Sequence, residues 1–205
     1  MCTEVLQMIQ KMDPKNAQTQ LAIQCAPVIT GIKPSNLLIV RSNQEQAVKQ
    51  LLRHSGICWF RLIRSEEKLI YLLFHRSSLE AYLGNNQVRD ILFQMGYEQM
   101  ALGAVLRTFQ ARYQRYMDQG GEFPHEMGLL LGYPWEDVKG FIENQGKNSL
   151  YTGYWKVYEN VPAKKQIFRR YEEAQRLLVE LLAKDVEFTT ILGLFQNKER
   201  SRLAV

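Results

Sequence analysis

The stretch ICWFRLIRSEEKLIYLLF, residues 57–74, carries the strongest β signal in the chain. Two runs of aliphatic and aromatic residues, 57–64 and 68–74, flank a short polar turn at residues 65–67. Both runs are apolar on both faces, which is typical of interior strands that helices cover. We therefore expect two interior strands here, with Cys58 in the core.

Helical patterns lie on both sides of these strands. Residues 5–12 and 17–25 place apolar side chains at helical spacing. The second helix is predicted to end at Ala26-Pro27, because proline disfavours the α conformation in the residue before it. The further predicted elements are a strand at 37–40, a helix at 43–54, helices across 78–117, a strand at 152–158 and a helix from Ile167 to Leu182.

This order of elements predicts an α+β fold, with a small, mainly antiparallel sheet of about three to five strands packed with several helices. At 205 residues the chain is long enough to bury a full core. We expect a single domain over residues 1–205, with residues 78–148 as a candidate helical subdomain.

The composition and charge limit the classes of protein to consider. Hydrophobic residues make up 46% of the chain, which is too many for a disordered protein. The net charge is +5, and residues 41–120 carry 11 basic and 7 acidic side chains. This surplus is compatible with a phosphate-bearing partner, but an ordinary solvated surface is the preferred interpretation. Arg107, Arg112 and Arg115 are interpreted as such a solvated helix face.

Cysteine usage and the N-terminal sequence bear on location. The three cysteines, Cys2, Cys25 and Cys58, are odd in number and lack paired spacing, which favours a reducing cytoplasm. The first residues lack the pattern of a signal peptide, and no apolar run reaches the roughly 18–20 residues that span a bilayer. We therefore expect a cytoplasmic protein without a membrane partner.

The segment GEFPHEMGLLLGYPWEDVKGFIENQGKN, residues 121–148, predicts two short helices. Pro124 suits the first position of one helix, Gly132 its end, and Pro134 the start of the next. A zinc protease motif needs a second histidine four residues after His125, where this chain has Leu129. A DNA-reading helix is disfavoured because Glu136, Asp137 and Glu143 would face phosphates.

His125 and Glu126 are the first candidates for chemistry. A histidine in the first turn of a helix lies near the positive end of the helix dipole, which favours the neutral imidazole that acts as a base or ligand. Glu126 would then orient it. The alternative is a histidine that caps the turn or satisfies a buried carbonyl.

Two further regions carry candidate side chains. Cys25 is interpreted as a buried apolar side chain, with a Cys25–His125 nucleophile-base pair as the alternative. The segment GKNSLYTGYWKVY, residues 146–158, interleaves lysines with aromatic residues that could stack on a nucleotide or planar cofactor, or pack in the core. No glycine-rich phosphate loop and no Cys-x-x-Cys pair occurs, so the sequence predicts no metal site and names no cofactor.

Three motifs, residues 25–37, 123–148 and 153–158, resemble in order and spacing the bacterial family catalogued as domain of unknown function 3793. The resemblance covers nearly the whole chain and implies a cytoplasmic protein of anaerobic bacteria, without an assigned reaction. It marks as motif positions Cys25, Lys33, His125, Glu126, Gly132, Tyr133, Asp137, Gly146, Lys147, Asn148, Tyr154, Trp155 and Lys156.

The leading hypothesis is a protein that binds a planar or anionic small molecule, with enzymatic activity left open. Its cleft is expected where the 25–33 loop, the His125-Glu126 helix start and the 147–156 segment converge. An interaction module for protein or nucleic acid is the alternative, with nucleic acid disfavoured, and iron or tetrapyrrole binding through Cys25 or His125 is a third hypothesis. The candidate ligand-binding residues are Lys33, Tyr133, Lys147, Asn148, Tyr154 and Lys156.

Overall fold

The computed structural model describes the backbone of residues 3–203 and the side chains of residue 5 and residues 7–196. Cys2 lies outside the described residues. Between Ser42 and Gln44 the chain forms one 3₁₀ turn. In chain order the elements are α1 Thr3–Lys11, α2 Ala17–Ile29, β1 Ser35–Arg41, α3 Glu45–Leu52, β2 Cys58–Arg64, β3 Lys68–Phe74, α4 Arg76–Leu83, α5 Asn86–Gln94, α6 Leu102–Gln119, α7 Met127–Leu130, α8 Trp135–Glu143, β4 Tyr151–Thr152, β5 Lys156–Val157, α9 Val161–Ala183 and α10 Phe188–Leu203.

The fold is α+β, as the sequence predicts. Strands β1, β3 and β2 form an antiparallel sheet in that spatial order, and β4 pairs with β5 in a separate antiparallel hairpin. The chain divides into two compact units, one made of residues 1–75 and 170–205 and the other of residues 76–169. Within the described residues no helix combines the length and apolar character needed to cross a membrane.

The first unit is built on the three-stranded sheet. Its core joins side chains of α2, α3 and α10 with one face of β1 and β3, and Leu21, Leu38 and Phe188 are fully buried there. The central strand β3 is buried along its length except at Lys68. Burial of this many apolar side chains is the main source of stability for a unit of this size.

The two strands at 57–74 form as predicted, but only one of them is interior. β2 lies at the edge of the sheet, and Trp59 remains 37% exposed. Cys58, expected in the core, is therefore only half-buried. An apolar run on both faces does not distinguish a central strand from an edge strand, because position in the sheet is set by long-range pairing.

Helix α2 passes through Pro27 and ends at Ile29, so the predicted end at Ala26-Pro27 is wrong. A proline inside a helix lacks the N–H that would bond the carbonyl four residues earlier, here that of Ile23. The Nε2 amide of Gln175 donates to that carbonyl at 2.7 Å. A side chain 152 residues away thus satisfies the carbonyl that the proline leaves without a helical donor.

In the second unit, residues 121–148 form the predicted helix pair in shortened form. α7 contains only four residues and does not begin at Pro124. His125 and Glu126 lie instead in a turn, in which the N–H of Met127 donates to the Pro124 carbonyl at 3.0 Å. A helix-dipole effect on His125 is therefore not supported, since the turn is not a regular helix end.

The strand predicted at 152–158 is a tight hairpin, β4 and β5, rather than one strand. Gly153 makes the turn, and its N–H donates to the Trp155 carbonyl at 3.0 Å. A Cβ atom on Gly153 would lie 2.3 Å from the Phe168 ring, so the hairpin packs where only glycine fits. α10 is a further element that the sequence analysis does not predict.

Candidate functional site

A surface cleft of about 410 Å³ lies within the second unit. It is lined by Met95, by Arg112, Arg115 and Tyr116 of α6, and by residues 120–126. We call it the His125 cleft. It contains both residues that the sequence analysis ranks first for chemistry, His125 and Glu126.

Helix periodicity and a glycine turn create this cleft. Arg112, Arg115 and Tyr116 are spaced three and four residues apart, so they share one face of α6. α6 ends at Gln119, and Gly120 and Gly121 follow with φ values of 71° and 108°. Those angles are accessible to glycine and rarely to other residues, and they turn the chain back along the helix.

Aromatic rings form one wall of the cleft and continue behind it. The Phe123 ring contacts Tyr116 edge-on, with centroids 5.3 Å apart, and lies 5.9 Å from the His125 imidazole. On its other side the imidazole packs 5.3 Å from Phe141 of α8. His125 is thus held between two phenylalanines, with its side chain 28% exposed.

Glu126 is buried and has structural partners. Its Oε1 atom accepts hydrogen bonds from the Tyr97 hydroxyl and from Arg112 Nη1, each at 3.1 Å. Arg112 also donates through Nη2 to the Met95 carbonyl at 2.6 Å, and its guanidinium lies 4.7 Å from the centre of the Tyr97 ring. Burial, and then the nearby Glu126 carboxylate, raise the pKa of Tyr97 above its ordinary value. These bonds tie the turn at residues 124–126 to α6.

The charges at the cleft differ in how they are compensated. Arg112 is paired with Glu126, and Glu122, 3.9 Å from His125, is almost fully exposed to solvent. Among the described residues, no carboxylate lies within ion-pairing distance of Arg115. Arg112 is therefore only partly solvated, whereas Arg107 and Arg115 are exposed, as the interpretation of a solvated helix face predicts. Arg112 is half-buried and bonded in a network, and Arg115 is an exposed cation at the cleft.

Cys25 and Lys33 lie in the first unit, close to Asn36. Cys25 is fully buried, and this burial raises the pKa of its thiol to about 12. The thiol donates to the Leu37 carbonyl at 3.5 Å. A thiol with so high a pKa stays protonated near neutral pH and is a weak nucleophile.

Lys33 is a buried cation. Its side chain donates to Asn36 and lies 5.7 Å from the centre of the Tyr171 ring. Burial lowers the pKa of Lys33 to about 8, because the charged form loses its hydration. The predicted convergence of Cys25 and Lys33 with His125 on one ligand stays a prediction, since the two groups belong to different units.

The remaining predicted residues divide into packed and exposed side chains. Tyr133 stacks on Trp155 with ring centroids 4.8 Å apart. Lys156 donates to the Gly146 carbonyl at 2.6 Å and lies 5.9 Å from the Phe141 ring centre. The exposed set is Lys147, Asn148, Tyr154 and Lys156, whose amino group keeps its contacts with Gly146 and Phe141.

Asp137 has a role that sequence reasoning missed. It is 1% exposed, and it accepts hydrogen bonds from Trp155 Nε1 at 2.7 Å and from the Tyr158 N–H at 2.8 Å. Lys164 Nζ lies 3.9 Å from the same carboxylate. Asp137 therefore anchors the β4–β5 hairpin to α8. Its partners lie 18 to 27 residues away in sequence, so no local sequence pattern predicts them.

Across the described residues, no group of three or more His, Cys, Asp or Glu side chains is arranged to hold a metal ion. The model of a family described as protein of unknown function, DUF3793, matches residues 21–192 of the chain. This match covers well over half of the sequence. No curated protein and no solved structure matches the chain.

Proposed function

The chain belongs to the DUF3793 family, and we propose that it is a small-molecule-binding protein whose ligand, a planar molecule with an anionic group, occupies the His125 cleft. The proposal concerns binding. It assigns no reaction: the Glu126 carboxylate accepts hydrogen bonds from Tyr97 and Arg112, and a role beside His125 stays a prediction.

The observation that carries the proposal is the combination of rings and a cation at one cavity. Tyr116 and Phe123 line the same cleft as Arg115 and His125. Rings provide apolar and stacking contact for a planar molecule, and a guanidinium pairs with carboxylate or phosphate in two-point geometry. Ligand pockets in proteins have this character, mostly apolar with a few placed polar groups.

The size and rigidity of the cleft also support binding. Its volume of about 410 Å³ falls in the range of roughly 300–1,000 Å³ that is typical of small-molecule sites. The Tyr97–Glu126–Arg112 network fixes the turn that carries His125. A site held in place before the ligand arrives loses less conformational entropy on binding.

Binding can be tested with a probe of the same chemistry. The planar aromatic anion anilinonaphthalene sulfonate is titrated into the protein and followed by fluorescence, with native mass spectrometry of anaerobically purified protein to detect a retained ligand. We expect saturable binding at one site. Arg115→Gln should weaken it about tenfold or more, because a charge-assisted hydrogen bond is lost.

Arg107→Gln is the matched control. Arg107 is an exposed arginine of the same helix that does not line the cleft. If Arg107→Gln weakens binding as much as Arg115→Gln, or if the probe binds at many equivalent sites, the His125 cleft is not the binding site.

A further inference from the structure

The β4–β5 hairpin and the first turns of α9 form an exposed surface that is rich in tyrosine and cations. Leu150, Tyr151 and Tyr154 are 66%, 38% and 44% exposed, although most large apolar side chains that the structure describes are not exposed. The same segment carries exposed cations at Lys147, Lys165 and Arg169. We call these six residues the tyrosine–lysine surface. All of them belong to the second unit, and none lines the His125 cleft.

The tyrosines are presented rigidly. Both rings pack on Phe168, with centroid distances of 6.1 Å for Tyr151 and 5.5 Å for Tyr154. Phe168 is itself buried, and the hairpin is fastened by the Trp155–Asp137 hydrogen bond at 2.7 Å. Aromatic side chains that are exposed yet fixed lose little entropy on meeting a partner, which is typical of recognition surfaces.

The charge around the hairpin is mostly positive. Residues 144–169 contain five basic side chains and one acidic side chain, Glu159, in a chain whose net charge is only +5 over 205 residues. Lys164 is paired with Glu136 in the interior. Lys165 lies 4.6 Å from the Tyr151 ring centre, and Arg169 follows it by one helical turn. This distribution complements a polyanion.

Rings beside cations suit a nucleic acid more than other polyanions. Bases stack on tyrosine rings while lysine and arginine pair with the phosphates between them. A duplex hides its base faces, so the rings select a single strand. A bilayer would require a larger inserted apolar surface than one protruding leucine. An acidic peptide would leave the paired tyrosines without a specific contact.

We propose that the tyrosine–lysine surface binds single-stranded nucleic acid, with Tyr154 stacking on a base and Lys147, Lys165 and Arg169 contacting phosphates. This binding is independent of the ligand proposed for the His125 cleft. Because the contacts are with base faces and phosphates, the surface discriminates little between sequences.

The test is fluorescence anisotropy with a labelled oligo-dT or oligo-U of about 12 nucleotides, using the full chain. We expect saturable binding that weakens about tenfold to twentyfold between ~50 and ~200 mM salt, as expected when three phosphates are contacted. Tyr154→Ala should weaken binding at least about fivefold, and Tyr154→Phe should retain it, because phenylalanine also stacks. Lys165→Gln should reduce the slope of log affinity against log salt by about 0.7.

Matched controls separate this surface from general basicity. Lys139→Gln removes an exposed lysine of α8 that pairs with Glu143, and Arg107→Gln removes an exposed arginine of α6; both should bind the oligonucleotide as the unmodified protein does. Four results would overturn the proposal: no binding at ~50 mM salt, equal affinity for the duplex, equal losses for Tyr154→Ala and Tyr154→Phe, or binding to phosphatidylserine vesicles in place of the oligonucleotide.

Discussion

At the residue scale, Glu126, which the sequence suggests as a catalytic candidate, also holds part of the fold together through its hydrogen bonds. Its carboxylate is buried and accepts hydrogen bonds from Tyr97 and Arg112, which lie 29 and 14 residues away. A buried carboxylate is tolerated only when it is paired and bonded in this way. Sequence shows the acidic residue beside His125, but it does not show which distant donors fold onto it.

Replacing this carboxylate tests that role. We expect Glu126→Gln to lower the free energy of unfolding by about 2–3 kcal/mol, because Arg112 loses its charge partner in a mostly buried setting. Urea unfolding followed by circular dichroism measures the change. Glu122→Gln is the control, since Glu122 is nearly fully exposed and should change stability by less than about 0.5 kcal/mol. Equal effects of the two substitutions would remove the structural role assigned to Glu126.

At the scale of the element, α2 shows that a proline can remove a helical hydrogen bond without ending the helix. Proline does remove a helical hydrogen bond at residue 27, but the Gln175 amide replaces the missing donor to the Ile23 carbonyl. Because the substitute comes from α9, the helix continues for two more residues to Ile29. The rule describes an isolated segment, and the tertiary structure supplies what the segment lacks.

A double-mutant cycle measures this compensation. We expect Gln175→Met to cost about 1–2 kcal/mol when Pro27 is present, because the Ile23 carbonyl loses its donor. In a Pro27→Ala background the alanine N–H bonds that carbonyl within the helix, so the same substitution should cost about 1 kcal/mol less. Chemical denaturation of the four proteins gives the coupling. Strictly additive effects would show that the two residues do not share this carbonyl.

The hairpin of β4 and β5 depends on a glycine for space. A Cβ atom on Gly153 would lie 2.3 Å from Phe168, so we expect Gly153→Ala to destabilise the protein by about 1–3 kcal/mol and to expose Trp155 to solvent. Denaturation and tryptophan fluorescence report both changes. Gly193→Ala in α10 meets no atom within 4 Å and should be neutral or slightly stabilising. An undisturbed Gly153→Ala protein would contradict the packing described for the hairpin.

At the scale of the whole molecule, periodicity predicts most elements and little of their assembly. The α+β class, the strands at 57–74 and the helices α5, α6 and α9 follow from local spacing of apolar residues. The edge position of β2, the course of α2 through Pro27 and the partners of Asp137 depend on residues far away in sequence. The cleft is a mixed case, because helical spacing aligns Arg112, Arg115 and Tyr116, whereas the turn that closes it depends on Gly120 and Gly121.

Buried groups with shifted pKa values make the stability of the protein depend on pH in the alkaline range. Burial raises the pKa of Cys25 from 9.0 to about 12 and that of Tyr71 from 10.0 to about 12. Burial lowers the pKa of Lys33 from 10.5 to about 8, which has the opposite effect. The other tyrosines whose pKa is raised mainly by burial are Tyr82, Tyr97, Tyr113, Tyr133 and Tyr158.

These shifts determine how thermal stability changes with pH. Between about pH 8 and 10.5 the unfolded chain holds the Lys33 proton more tightly, so the contribution of Lys33 grows as the pH rises. Above pH 9.0 for Cys25 and 10.0 for the tyrosines, unfolding releases protons that the folded protein retains, so their contributions are lost as the pH rises. Because these groups outnumber Lys33, Tm should fall steeply above about pH 10.

In Lys33→Met, Tm relative to the unmodified protein should decline between about pH 8 and 10.5, because the variant lacks the lysine's rising contribution. Circular dichroism melts over this range measure both effects, and a difference that does not vary with pH would contradict the buried, titrating Lys33.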